Sequence, residues 1–281
     1  MDGGEGMLDW MRSDPLSFFQ FLMYRAPAVL IALTLHEISH GYVAWRCGDP
    51  TAKNLGRLSL NPFKHLSLVG TIMMFTVGMG WAKPVPVNPN NYRHGHRDDL
   101  LVSLAGVTMN FLLFLLATAL AVAVNELLWD PAIFKMTYPL TSRTDFLSFN
   151  GQNFNEIFVN GEYILVREAG NGYYNVLNAV EYMQTPWLIH VQRFLYQFAF
   201  CNLGMCLFNL LPFPPLDGFH VFNDILLRGR LRLSAQAFRL SMLALLALTY
   251  ATNIVSKVIS TVEYAVQGGI LRGILALAGL T

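Results

Sequence analysis

His36-Glu37-Ile38-Ser39-His40 puts two imidazoles and a carboxylate within five residues. In a helix, at roughly 100° per residue, His40 falls about 40° around from His36 and Glu37 about 100° around, so all three share a face. Two imidazoles one turn apart can converge on a single Zn²⁺. The carboxylate between them can take a proton from a water that the metal acidifies. The alternative, a pair of satisfied core histidines, is disfavoured by the surroundings. Ala26 to Trp45 is apolar enough to span a membrane, and ionisable groups in hydrocarbon are expensive unless they face a polar cavity or a metal. The chemistry indicated is hydrolysis inside a lipid bilayer.

A zinc centre needs a third protein ligand. The candidate lies in Asn209-Leu210-Leu211-Pro212-Phe213-Pro214-Pro215-Leu216-Asp217-Gly218. Three prolines within four positions unwind the chain beside Asp217. Irregular backbone at membrane depth is tolerated only where it is buried in protein or lines a cavity, so Asp217 is read as a ligand and not as an ordinary surface aspartate.

The elements that carry these residues follow from composition. The chain is 54% hydrophobic and only 13% charged, about half the charge of a soluble domain, and its mean hydropathy is +0.40. The fold class expected is an all-α polytopic membrane protein with about five to six transmembrane helices, short membrane-associated strands and a small extramembrane hairpin insert. A net charge of +1 without a basic run excludes nucleic acid as a partner. The acidic stretch Met1 to Asp14 lacks the positive region of a cleaved signal peptide. Cys47, Cys201 and Cys206 form no Cys-x-x-Cys site and read as small apolar residues.

Along the chain, residues 1–25 form an N-terminal segment, 26–129 and 187–281 a membrane-embedded core, and 130–186 an extramembrane insert. The first span runs from Ala26 to Trp45 and ends at Gly48-Asp49-Pro50. Leu58 and Leu60 alternate around Ser59, predicting a short strand. Leu66 to Trp81 is short for a span and must tilt, thin the bilayer or re-enter. Pro84, Pro86 and Pro89 then enforce an extended segment. The third span starts at Asp98 and Asp99 and reaches Trp129; Ala105 and Gly106 permit close helix approach, and Asn110 is expected to make an interhelical hydrogen bond. In the insert, Asn160-Gly161 between two β-rich runs signals a hairpin, which could cover the site or gate substrate access. A fourth span covers Trp187 to Leu211. Phe219 to Leu227 reads as a short helix, and at least one further span follows from Leu240. His65, His94 and His96 are expected to be solvated, His190 interfacial, and His220 a candidate donor to Asp217.

These residues resemble the site-two protease family of intramembrane zinc metalloproteases, in its compact branch without a PDZ domain. The resemblance covers about Leu30 to Asn125 and Phe198 to Ile225. It is carried by His36-Glu37-x-x-His40-Gly41, by Gly48-Asp49-Pro50-Thr51-Ala52-Lys53 with Gly56-Arg57-Leu58 and Leu60-Asn61-Pro62, by Gly80-Trp81-Ala82-Lys83-Pro84-Val85-Pro86-Val87-Asn88, and by Asn209 to Gly218. Val107 stands where the family often has proline ahead of the third-span asparagine. The resemblance implies that His36, His40 and Asp217 bind one Zn²⁺ per chain, that Glu37 is the general base, and that Asn209 assists at the oxyanion.

The function expected is zinc-dependent endopeptidase cleavage in or near transmembrane helices of substrate proteins. The setting is a multi-pass protein of the lipid bilayer, the plasma membrane if the source is bacterial. Substrate helices must unwind locally to expose a carbonyl, and an unwound strand could pair with an edge near Leu58 to Leu60 or Val85 to Val87. Two rival classes are a hydrolase of a non-peptide lipid amide and a non-catalytic membrane chaperone or transporter. Retention of Glu37 beside three candidate ligands disfavours the second.

Overall fold

A computed structural model describes residues 7–68, 70, 82–130, 158–159, 162–168, 174–227, 230–231, 233–252 and 254–279. It is mostly helical. The helices are α1 (Met7–Ser13), α2 (Pro15–Arg46), α3 (Thr51–Asn54), α4 (His96–Leu128), α5 (Leu188–Asn209), α6 (Asp217–Leu226), α7 (Ala235–Thr252) and α8 (Ile254–Leu277). Among the described residues, two helical stretches are long and apolar enough to cross a membrane, Pro15–Cys47 and His96–Leu128.

The first of these begins at Pro15, well before the expected Ala26. Asp14 caps it by accepting from the Ser17 N–H at 3.1 Å, and proline is pre-organised for the opening turn, where its missing donor costs nothing. Most of the Leu66 to Trp81 segment and of the insert lies outside the described residues. Three strands are described there: β1 (Phe158–Val159), β2 (Glu162–Glu168) and β3 (Tyr174–Asn178), in the order β1-β2-β3 with antiparallel pairing and Val159 opposite Glu162. The insert closes at its base, where Trp129 bridges Met183 and the Gln184 N–H donates to the Leu128 carbonyl at 2.8 Å.

The packing of α2, α4 and α5 follows from one buried stripe on each. In α2 the stripe is Ala28, Ala32, His36 and Ser39. In α4 it runs Gly106, Asn110, Phe114, Ala117, Ala121, Asn125 and Leu128, and in α5 it includes Leu188, Gln192, Leu195, Ala199, Asn202 and Cys206. Spacings of three and four keep each set on one helical face. Ala28, Ala32, Ala117, Ala121 and Ala199 are at most 1% exposed, and such small side chains let helix backbones approach closely. Leu271 and Leu275 of α8 complete this core. Several polar groups inside it are paired: Gln192 Nε2 donates to Asn125 Oδ1 at 2.5 Å, Arg25 to Gln197 at 3.1 Å, and Arg193 to Gln20.

The strand expected at Leu58 to Leu60 does not form. Its stretch is held by side chains instead: Lys64 Nζ donates to the Gly56 carbonyl and His65 Nε2 bonds the Ser59 carbonyl at 2.8 Å. His65 is 1% exposed and so is not solvated as expected. Among the described residues, the β pairing nearby is a single bridge between Leu66 and Ala82.

Candidate metal centre

α2 delivers His36 and His40 one turn apart, and their Nε2 atoms lie 3.0 Å from each other. The proline-rich loop after α5 ends at Asp217, the first residue of α6, and brings Asp217 Oδ2 within 3.3 Å of both Nε2 atoms. Gly218 makes this return possible, since a Cβ there would sit 2.3 Å from the Leu210 carbonyl oxygen. His36, His40 and Asp217 thus offer three ligand atoms all within 4.8 Å of one another.

The donor chemistry fits a cation. His40 Nδ1 lies 2.7 Å from the Val102 carbonyl, so Nδ1 carries the proton and Nε2 presents its lone pair to the centre. Asp217 Oδ2 is buried and has no hydrogen-bond donor among the described residues. Lone pairs crowded at about 3 Å repel unless a positive charge sits between them. Two imidazole nitrogens and a carboxylate are the ligand set of a catalytic zinc site with a position left for water or substrate.

Space for that cation comes from α4. A Cβ on Gly106 would lie 2.3 Å from His40 Nε2 and 2.6 Å from His36 Cε1. The helix backbone therefore forms one wall of the centre, and any side chain at position 106 would fill it. One turn further on, Asn110 is 0% exposed, yet neither its Nδ2 nor its Oδ1 has a partner among the described residues. The expected interhelical hydrogen bond does not form among the described residues.

Glu37 is 8% exposed. Its Oε2 accepts from the Val85 N–H at 2.8 Å, which holds the carboxylate from the extended segment after the Ala82 bridge. That segment is placed by Asp49, which is fully buried. Asp49 accepts from the Thr51 N–H at 3.1 Å, the Asn88 N–H at 2.7 Å and Asn91 Nδ2 at 2.8 Å. Burial opposes its charge, but the donors from Thr51, Asn91 and Asn88 outweigh burial and hold the carboxyl below the usual carboxylate range. Gly41 lets the layers meet, since a Cβ there would lie 2.8 Å from Leu58 Cδ2 and 3.0 Å from Val85 Cγ1.

Asn209, at the end of α5, donates its amide to the Met205 carbonyl at 3.0 Å. His220, a candidate donor to Asp217, makes no hydrogen bond or ion pair to it among the described residues. It points across to α4, with Nδ1 4.0 Å from Asp99 Oδ2. His94 and His96 are exposed. His190 sits at the surface with its Nδ1 2.6 Å from the Tyr24 hydroxyl.

The description of peptidase family M50 matches residues 24–251, which include every residue of this centre. The chain belongs to peptidase family M50. It is 31% identical over 215 residues to YwhC of Bacillus subtilis strain 168, named as a zinc metalloprotease, covering 76% of this chain and 73% of that one. It is 33% identical over 134 residues to Rip2 of Mycolicibacterium smegmatis, likewise named as a zinc metalloprotease; that match covers 45% of this chain and 50% of Rip2. Rip2 of Mycobacterium tuberculosis H37Rv is 32% identical over 133 residues. No solved structure matches. This M50 chain is a zinc metalloprotease, and its His36, His40 and Asp217 form a group that could hold a metal ion.

Proposed function

We propose that this chain cleaves peptide bonds in or near the transmembrane helices of substrate proteins. The observation that carries the reading is the position of the metal donors: His36 and His40 lie inside a helix long and apolar enough to cross a membrane. Water and a peptide carbonyl must meet there, in surroundings otherwise apolar. α5, α7 and α8 supply the remaining described spans of a multi-pass protein, in the plasma membrane if the source is bacterial.

His36, His40 and Asp217 hold Zn²⁺, which when bound polarises a peptide carbonyl and acidifies a water. Glu37 takes the proton from the attacking water and returns it to the leaving amine. With Oε2 engaged by the Val85 N–H, Oε1 remains for that transfer. His40 keeps its Nδ1 proton on the Val102 carbonyl throughout, so its metal-facing nitrogen does not change tautomer. Asn209 turns its amide from the Met205 carbonyl to the developing oxyanion.

The test is cleavage of a single-span protein bearing Gly or Pro in its helix, with both proteins purified and reconstituted in the same vesicles. A defined cut within or beside the span, absent with Glu37→Gln, is expected. Release of a fatty acid from a lipid amide without protein cleavage would overturn the reading.

A further inference from the structure

A second cluster of ionisable residues lies between α4 and α6, away from the metal donors. α6 packs along α4. Asp217 and Asp224 are seven residues apart on α6, as are Asp99 and Gly106 on α4. That spacing is about two turns, or roughly 10 Å, and returns to nearly the same face. At one end Gly106 and Asp217 meet the histidines. At the other, the Asp99 and Asp224 carboxyls come within hydrogen-bonding reach. The two helices are thus antiparallel rods with matched contacts, one at the metal donors and one at the acid pair.

The distal contact is reciprocal. His96 of α4 reaches Asp224 at 3.6 Å, and His220 of α6 reaches Asp99 at 4.0 Å. The Asp224 side chain is 3% exposed, and its Oδ2 has no hydrogen-bond donor among the described residues. Two carboxylates cannot hydrogen bond unless one proton lies between them. Burial and then the Asp99 charge push Asp224 up to about 6. From α7 the neighbour is apolar: the Phe238 ring lies 6.4 Å from that of His220.

We propose that Asp99, Asp224, His96 and His220 form a proton-dependent clamp that seats α6 on α4 and thereby positions Asp217. Protons tighten it by bridging the two carboxyls. The sign follows from Asp224: a carboxyl raised on folding contributes fully below its ordinary value, and that contribution is lost as pH rises through about 6. The clamp closes in acid and loosens towards neutrality.

The consequence at Asp217 rests on the zinc-protease reading, but the clamp is measurable without catalysis. Amide exchange of Phe222 to Leu227, corrected for intrinsic rates, is followed in the full-length zinc-loaded protein from about pH 5 to about pH 7.5. The expected loss of protection is at least about tenfold for the wild type. Asp224→Asn donates to Asp99 without needing a shared proton, so its protection at about pH 7.5 should match the acid value of the wild type and its pH response should shrink at least about threefold. Asp99→Asn should do the same. A wild-type profile flat across this range, or Asn variants that follow the wild-type curve, would overturn the clamp. Zinc loss through protonation of His36 and His40 would loosen α6 in acid, opposite to the expected trend, and so cannot imitate it.

Discussion

The Val85 N–H reaches Glu37 Oε2 at 2.8 Å across 48 residues of sequence. The proposed base is therefore held by backbone from outside its own helix. Glu37→Gln preserves the side-chain shape and can still accept from Val85, but cannot take up a proton. Zinc content should stay unchanged while cleavage falls at least about a hundredfold. Metal analysis and turnover of the same preparation check both halves.

The metal donors behave differently. His36→Ala and Asp217→Ala each remove one of three ligand atoms, so zinc should drop from about one per chain to a small fraction. Unchanged occupancy in both variants would remove the assignment.

Gly106→Ala tests the wall of the centre. Its Cβ would lie 2.3 Å from His40 Nε2, a clash that the imidazole or α4 must relieve at about 1 to 3 kcal/mol. Zinc affinity should weaken by roughly ten- to a hundredfold, measured by competition with a chelator, while an alanine at the open Gly269 should leave it unchanged.

How much of this was legible in the sequence depends on the distance over which each residue acts. His36, Glu37 and His40 could be read because helical periodicity alone sets their relation, and Asp217 because prolines mark where the chain unwinds. The proline-enforced extended run at Val85 to Val87 was equally visible. Gly106 was readable as a site of close approach, but not as the floor under two imidazoles, since that depends on how α4 crosses α2. Asp49 appeared only as part of a motif. Its work is done with Asn88 and Asn91, some 40 residues further on. The errors share a cause: Leu58 to Leu60 alternates as a strand does but has no strand partner among the described residues, and His65 has polar neighbours in sequence yet folds inward.

Asp49 supplies a pH test. Its carboxyl is held below the ordinary range, so its stabilisation is present above about pH 4 and is lost as pH falls through its depressed folded value. Exchange at the Asn88 amide should accelerate below about pH 4 after correction for intrinsic rates. Asp49→Ala should cost about 2 to 3 kcal/mol at neutral pH, because it strands several buried donors at once. Chemical unfolding of the detergent-solubilised protein measures this.

Asn209→Ala should lower turnover by roughly a hundred- to a thousandfold if its amide serves the oxyanion, with zinc content and substrate co-purification preserved. Loss of zinc would instead make Asn209 a residue that merely ends α5 in the right place.

Because His40 and Asp217 stand far apart along the chain, metal held between them ties the first hydrophobic helix to the last third of the sequence, closing a loop of roughly 180 residues. Zinc is then a cross-link as well as a reagent. Stripping it frees the proline-rich turn and α6 from α2, so the metal-free chain should unfold at a lower temperature, by an amount that grows with the free zinc supplied to the loaded form. Fold integrity and catalytic competence are coupled through one ion, and a cell short of zinc would hold a looser protein, not simply a silent one.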